Sequence, residues 1–361
     1  MSAPIALVHD YLTQRGGAER VVLSLSRAFP DAAIHTSVYE AASTFPEFEA
    51  KHIVPAPMNR IALVRRRHRL GLPLYGAMFS RMVVDAEVAI CSSSGWAHRA
   101  HVTGRKIVYC HAPARWLYQA EAYMGGSRRA GLFEPFRKVL ARSDARAAAS
   151  ADVYLTNSRA VSARIRDLYG IAAEVVAPPH SLGADGPRQQ VDGIDGGYFL
   201  CVSRLLPYKN VASVVGAFAS LPHQLVVVGD GPVARSLRAS ATKNVRFLAG
   251  VTDAELRWLY ASAQAVVAAS FEDYGLTPVE ASAFGTPSVV LRWGGFLDTV
   301  VEDKTGVFFD EPAPAPIAAA VRRLLADPPE AHVVLAHAEG FSEDAFVSRV
   351  REVAGAAGHR M

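Results

Sequence analysis

Apolar residues along this chain fall into two alternating patterns. Short uninterrupted runs bounded by turn residues read as strands buried on both faces, and stretches where apolar residues return every three or four positions read as amphipathic helices. In the first half, runs at 5–9, 33–39, 88–92, 106–110, 153–156 and 174–177 predict strands. Val21, Val22, Leu25, Ala28 and Phe29 lie at helical spacing after the first run, and 133–149 predicts a helix between the fourth and fifth. The rhythm breaks over 178–197, which holds three prolines and five glycines with little apolar periodicity and reads as a linker. It restarts with strands at 198–203, 225–228, 245–248, 265–269, 288–291 and 307–309. Helices begin near Asn210 and at Asp253 and fill most of the remainder.

Strands that alternate with helices specify parallel sheets covered on both faces. The expected fold is α/β, with two doubly wound, Rossmann-like domains at 1–180 and 198–343 joined by 181–197. Ligands of such sheets bind beyond the C-terminal strand ends, and with two domains facing each other the expected site is the cleft between them.

A chain of 361 residues, half of them apolar, suffices for about two or three domains. No apolar run reaches the roughly 18 residues a membrane-spanning helix needs. The N-terminus enters its first apolar run without a basic leader, so no signal peptide is expected. Cys91, Cys110 and Cys201 lie in or beside strand-like runs and form no C-x-x-C pair, so buried free thiols in a reducing cytoplasm are expected. The net charge of +4 is uneven: residues 1–190 carry +9 and residues 191–361 carry −5. The basic half suits an anionic partner.

The densest chemistry lies between Phe271 and Ala281. Glu272 and Glu280 flank Gly275-Leu276-Thr277-Pro278. Thr277 is placed to cap a helix, Pro278 suits its first turn, and Glu280 lies three residues after the cap. The segment reads as a strand, a glycine-containing loop and a helix N-terminus, where free N–H groups favour an anion. A carboxylate on either side suits hydroxyl groups, so a sugar nucleotide is indicated. The competing reading is a capping box, which gives Glu280 a purely structural task.

Other clusters also follow strands. Gly16-Gly17-Ala18-Glu19 opens the first helix, where backbone N–H groups can approach a phosphate. Its spacing is not G-x-G-x-x-G, which disfavours a dehydrogenase. His111, between Cys110 and Ala112-Pro113, is placed to hydrogen-bond a substrate hydroxyl or move a proton. Arg204 and Lys209 offer a fork and a point charge to a diphosphate. Gly229-Asp230-Gly231-Pro232 reads as a structural turn. Thr252 and Glu255 read as a capping box, with the backbone at Gly250 and Val251 available to a nucleobase.

Arg65-Arg66-Arg67-His68-Arg69 runs into an apolar stretch. Arg137, Lys138, Arg142 and Arg146 share a helical segment with Leu132, Phe133, Phe136, Val139 and Leu140. Both resemble surfaces that lie on anionic lipid. No metal-ligand spacing, phosphate-binding P-loop or nucleophile elbow is present. The acidic second half and the lack of zinc-finger or RNA-binding aromatic signatures argue against a nucleic-acid partner.

Together, the E-x7-E carboxylates Glu272 and Glu280, the pair Arg204 and Lys209, the Gly16-Gly17 loop and His111 resemble the family 4 glycosyltransferases, a retaining group with the GT-B fold. The likeness covers nearly the whole chain and is strongest in the second half. It implies a metal-independent hexosyltransferase that uses a nucleoside-diphosphate sugar. Arg204 and Lys209 would neutralise the diphosphate, helped by backbone N–H groups near Gly17, Leu276 and Thr277, beside Gly16 and Gly275. Glu280 would hold the ribose, Glu272 the donor sugar, and His111 would sit near that sugar. The first domain would bind a glycan or lipid-linked acceptor, and the last helix, within 344–361, would cross back to it. His9-Asp10-Tyr11-Leu12 and the 109–116 segment look most like bacterial mannosyltransferases of surface polysaccharide assembly. That favours GDP-mannose, with UDP-hexose as the alternative, and a place at the inner face of the membrane. One departure from the family pattern is Phe296-Leu297-Asp298 after Gly294-Gly295, where a Pro-Glu is usual. A GT-B epimerase or hydrolase, and a non-catalytic sugar-nucleotide-binding protein, remain as alternatives.

Overall fold

The computed structural model describes residues 3–67, 71–119, 134–180 and 182–355. The chain divides into two compact units, residues 1–178 with 346–361, and residues 179–345.

The strands of the first unit are β1 (Ala3–His9), β2 (Ala33–Thr36), β3 (Ile53–Pro55), β4 (Val83–Val84), β5 (Ala86–Ser93), β6 (His101–Val102), β7 (Arg105–Cys110), β8 (Val153–Thr156) and β9 (Glu174–Val175). Seven of them form one parallel sheet in the order β3-β2-β1-β5-β7-β8-β9, while β4 and β6 pair separately. Successive side chains of a strand point to opposite faces. Leu7 of β1 therefore joins Val21, Val22 and Leu25 of the helix Gly17–Ala28 on one face. Ala6 and Val8 join Tyr75, Phe79, Val161 and Ile165 on the other.

The helix Glu343–Gly355 adds Phe346, Val350 and Val353 to the first of these cores. The Phe346 ring meets Tyr109 edge-on at 5.7 Å. Arg351 donates to the Ala28 carbonyl at 3.0 Å, and Arg105 donates to the Val353 carbonyl at 3.1 Å.

In the second unit, β10 (Tyr198–Val202), β11 (Leu225–Val228), β12 (Val245–Leu248), β13 (Ala263–Ala268), β14 (Ser288–Leu291) and β15 (Gly306–Phe309) form a parallel sheet in the order β12-β11-β10-β13-β14-β15. Phe199 and Cys201 face a core with Val214, Phe218 and Val321. Tyr198 and Leu200 face the other, with Leu259 and Tyr260. All three cysteines are buried and none forms a disulfide among the described residues. Burial pushes the Cys91 and Cys201 thiols up to about 12.

Several expectations are corrected. The run at 33–39 forms strand β2 only as far as Thr36, and beyond it a single isolated bridge joins Tyr39 to Leu12. The run at 174–177 gives only the two-residue edge strand β9. The segment 181–197 is not a free linker: Leu182, Val191 and Ile194 are buried in the second unit's core. Their irregular spacing left no periodic trace. The helix expected at 133–149 runs Glu134–Ala148, and Leu132, Phe133, His68 and Arg69 lie outside the described residues.

In both sheets the strand order reverses beside the first strand, between β1 and β5 and between β10 and β13. The C-terminal strand ends at such a switch point are where a doubly wound sheet receives a ligand.

Candidate active site

In the second unit, the loops leaving β10 and β13 meet at the switch point. After β10 a short 3₁₀ turn, Pro207–Lys209, leads to Asn210, whose backbone is left-handed with φ 54°. Asn tolerates that region better than most residues. Its Nδ2 also donates to the Ala269 carbonyl at 2.9 Å, which ties the loop to the end of β13. The helix accordingly starts one residue later than expected, at Val211.

This anchoring brings the Lys209 Nζ onto Glu272 Oε1, to which the Ser270 hydroxyl also donates at 2.9 Å. The Lys209 and Glu272 side chains are only 13% and 24% exposed, so the pair is screened less than a surface ion pair. Arg204, in the same loop as Lys209, is exposed and has no side-chain partner among the described residues. The Gly229–Pro232 turn supports this loop, with Asp230 accepting the Leu205 N–H at 2.9 Å.

The loop carrying Glu272 is shaped by glycines. Gly275 has φ 86° and precedes the helix Leu276–Ser282, which starts without a side-chain cap. Thr277 is therefore not the cap. Its hydroxyl lies 3.4 Å from the Val202 carbonyl at the end of β10. A Cβ on Gly275 would lie 2.6 Å from the Phe296 ring, so the Phe296 that departs from the family pattern fills the space that Gly275 leaves. Gly294 has φ 56°, and a Cβ there would meet the Glu272 carbonyl at 2.3 Å. That backbone approach fixes the height of Glu272.

Glu280 is not in a capping box either. Its Oε2 accepts a hydrogen bond from the Tyr260 hydroxyl at 2.8 Å. Burial, then the Glu280 charge, raise the Tyr260 pKa well above its ordinary value. Tyr260 stacks on Phe284, with ring centres 5.6 Å apart. The capping box expected at Thr252 and Glu255 is present: the Thr252 N–H donates to Glu255 at 2.7 Å, and the Glu255 N–H to the Thr252 hydroxyl at 3.2 Å. Val251, just before it, packs against the same core as Tyr260.

In the first unit, Gly16 is the residue before the helix Gly17–Ala28. The Glu19 carboxylate folds back beside it, buried, and burial raises its pKa to about 7. Asp10, at the end of β1, accepts three backbone N–H groups, from Ser94 at 2.6 Å, Trp96 at 3.1 Å and Ala97 at 2.6 Å. Burial still raises its pKa to about 6, against those hydrogen bonds. His111 follows β7, and its backbone N–H donates to the Ser93 carbonyl at 2.9 Å. Its Nε2 lies 2.8 Å from the Ser92 hydroxyl, and His9 Nδ1 lies 3.1 Å from the same hydroxyl. Burial lowers the His9 pKa to about 4, while desolvation and then His9 lower that of His111 to about 3.

Sequence reasoning singled out His9 and Asp10 only for their family likeness, without a place in these clusters, and missed Ser92 and Tyr260. The signal available for the first three was their position at the ends of β1 and β5.

A further network joins Ser93 to His98 at 3.0 Å and His98 to Asp144 at 3.1 Å. Asp144 also accepts hydrogen bonds from the Tyr118 and Tyr169 hydroxyls, at 3.0 and 2.7 Å. Its connectivity is that of a nucleophile triad, but Ser93, His98 and Asp144 are 1%, 3% and 2% exposed. The network therefore has a structural task. Among the described residues, no group of three or more His, Cys, Asp or Glu side chains is placed to hold a metal ion.

Comparison with known proteins agrees with this architecture. The family model for glycosyltransferase family 4 matches residues 15–179, and that for glycosyl transferases group 1 matches residues 189–339. A D-inositol 3-phosphate glycosyltransferase of Acidothermus cellulolyticus is 29% identical over 93% of this chain and 84% of its own length. A GDP-mannose-dependent alpha-(1-6)-phosphatidylinositol monomannoside mannosyltransferase of Mycolicibacterium smegmatis is 30% identical over 49% of this chain and 54% of its own. Among solved structures, Anabaena HepE in complex with UDP-glucose superimposes with a TM-score of 0.71, at 16% identity, over 98% of this chain and 99% of that one. The two Rossmann-like units are those of the GT-B fold. The chain belongs to the family 4 glycosyltransferases, which move a sugar from a nucleotide-sugar donor to an acceptor.

Proposed function

We propose that this protein is a retaining, metal-independent hexosyltransferase that takes mannose from GDP-mannose and places it on a hydroxyl of a glycan or lipid-linked acceptor. The observation that carries the reading is the Lys209–Glu272 pair at the β10/β13 switch point, with exposed Arg204 in the same loop. Breaking the glycosidic bond puts positive character on the anomeric carbon and negative charge on the departing phosphate, and fixed cations aimed at that phosphate stabilise the transition state. Lys209 and Arg204 supply those cations, a task that a divalent ion performs elsewhere. Glu272 holds hydroxyls of the donor sugar, and Glu280, oriented by Tyr260, holds the ribose. The backbone at Val251 borders the base. Gly16, Gly17 and His111 serve from the first unit. The phosphate itself takes the acceptor proton during front-face attack. The mannosyl donor is favoured by the Mycolicibacterium smegmatis relative named for GDP-mannose.

Calorimetry with GDP, UDP, ADP and their hexose conjugates tests the donor. Selective binding of GDP-mannose at about micromolar Kd supports it, and tight binding of UDP-glucose instead names the other base. Unchanged turnover in EDTA and an α-linked product from an α-linked donor test the remaining terms. An inverted anomer would remove retention.

A peripheral membrane seat at the cytoplasmic face is favoured by the first unit's surface. Ile61, Leu63, Leu74 and Val83 are 52–62% exposed beside exposed Arg60, Arg67 and Arg81. Arg65 is instead paired with Glu40 at 3.0 Å. No helix of the described residues is long and apolar enough to cross a membrane. The protein is expected to float with anionic liposomes at low salt and to lose most of that binding in Leu63→Glu/Arg67→Glu. No flotation with anionic liposomes at low salt would remove the membrane seat.

A further inference from the structure

His111 shares one hydroxyl with a second histidine, and the hydrogen-bond accounting around that hydroxyl allows one arrangement. His9 Nδ1 lies 3.1 Å from the Ser92 carbonyl oxygen as well as from its hydroxyl. A carbonyl only accepts, so His9 Nδ1 carries a hydrogen and donates it. The Ser92 hydroxyl therefore cannot give its own hydrogen to His9. Ser92 is buried, and the remaining acceptor in reach is His111 Nε2, at 2.8 Å. The hydroxyl donates there, since the opposite direction would strand its hydrogen without an acceptor inside the protein. His111 Nε2 is then an acceptor, and its ring hydrogen sits on Nδ1, assigned from the network. His111 Nδ1 has no hydrogen-bond partner among the described residues and is not among their buried unsatisfied atoms. It is the nitrogen left to meet a ligand.

The backbone around the ring is held too. The Asn157 Nδ2 donates to the His111 carbonyl at 3.1 Å, and the Tyr109 ring stands edge-on to the imidazole at 5.2 Å.

We propose that Ser92, anchored by His9, is a positioning residue that fixes His111 as the Nδ1–H tautomer, making it a hydrogen-bond donor to the transferred sugar and not a proton acceptor. The proposal rests on the reading that His111 meets that sugar. It differs from a merely structural role because the tautomer, and not the fold, carries the effect. It also makes the neutrality of the ring useful: an imidazole that stays uncharged keeps Nε2 free to accept from Ser92 at working pH.

Nitrogen-15 NMR of the imidazoles in the full chain reads the tautomer directly. His111 is expected to show a protonated Nδ1 and an unprotonated Nε2 from about pH 5 to 8. A proton on Nε2, or on both nitrogens, would overturn the proposal. In Ser92→Ala the His111 tautomers are expected to mix, and kcat to fall about 10- to 100-fold, with donor KM changed little. His9→Leu should act in the same direction. His9→Asn, whose Nδ2 can replace Nδ1 as donor to the Ser92 carbonyl, should recover most of the loss. Nucleotide affinity, which depends on the second unit, is the control for folding. If nucleotide binding fails in wild type, the donor-site reading falls and the tautomer result still stands or falls by itself. If Ser92→Ala binds nucleotide normally and mixes the tautomers without slowing kcat, His111 does not act on the sugar and the proposal is overturned.

Discussion

Lys209→Ala is expected to lower kcat by about 10²–10³-fold, the range found when one preorganised donor to a developing anion is removed. Donor KM should rise as well, because the ammonium also meets the ground-state diphosphate. The loss exceeds that of an ordinary surface lysine for two reasons. The Lys209 side chain is mostly buried at a switch point, where a charge is screened less than in open water. Its partner Glu272 is also left without a cation, beside the Ser270 hydroxyl alone. Lys209→Arg should recover little, since a planar fork does not replace a compact ammonium in a space set by Asn210 and Gly294. Steady-state kinetics with a donor titration decides the matter, and a kcat within about threefold of wild type would remove Lys209 from the machinery.

The second large effect is on stability. Asp144→Ala is expected to cost about 3–5 kcal/mol and lower Tm by roughly 10 °C, because it breaks a buried network and leaves partners unpaired. Those partners are His98 and the hydroxyls of Tyr118 and Tyr169. Although burial raises the Asp144 pKa, its hydrogen bonds and the His98 charge outweigh burial and leave it below the ordinary carboxylate value. A carboxylate with a depressed folded pKa stabilises the protein above its unfolded pKa of about 4, and that contribution fades as pH falls through the folded pKa. The variant should therefore lose most relative to wild type near neutrality and less under acid. Thermal unfolding at several pH values measures the difference, and a constant gap across pH would mean that the network acts through packing alone.

Much of the architecture was legible because parallel strands buried on both faces leave continuous apolar runs. The runs at 198–203, 225–228 and 288–291 became β10, β11 and β14 with shifts of no more than a residue. Strands β3, β4 and β6 were not legible, since two or three residues cannot establish a period. At the candidate site, Glu272 and Lys209 were singled out from their positions after strands, and they are in contact. The cap was misplaced because Thr277-Pro278 looks like a helix start, whereas Gly275 can take a left-handed turn and begins the helix earlier. The bond from Tyr260 to Glu280 and the relay from His9 through Ser92 to His111 join residues far apart in sequence. Only the register of the strands and the packing of the helices brings such groups together, and no local pattern records it.

The return of residues 346–355 to the first unit bears on how the chain is made. A ribosome releases the N-terminus first, yet the wall of the first core that Phe346, Val350 and Val353 complete stays open until those residues emerge. By then the whole of 179–345 has been synthesised, and domains generally fold as units once their sequence is available. The second unit can thus mature while the first still waits for its closing helix. The finished protein is threaded like an insertion, with the second unit joined to the first at both of its ends. A single backbone nick at either crossing would leave the two halves connected through the other.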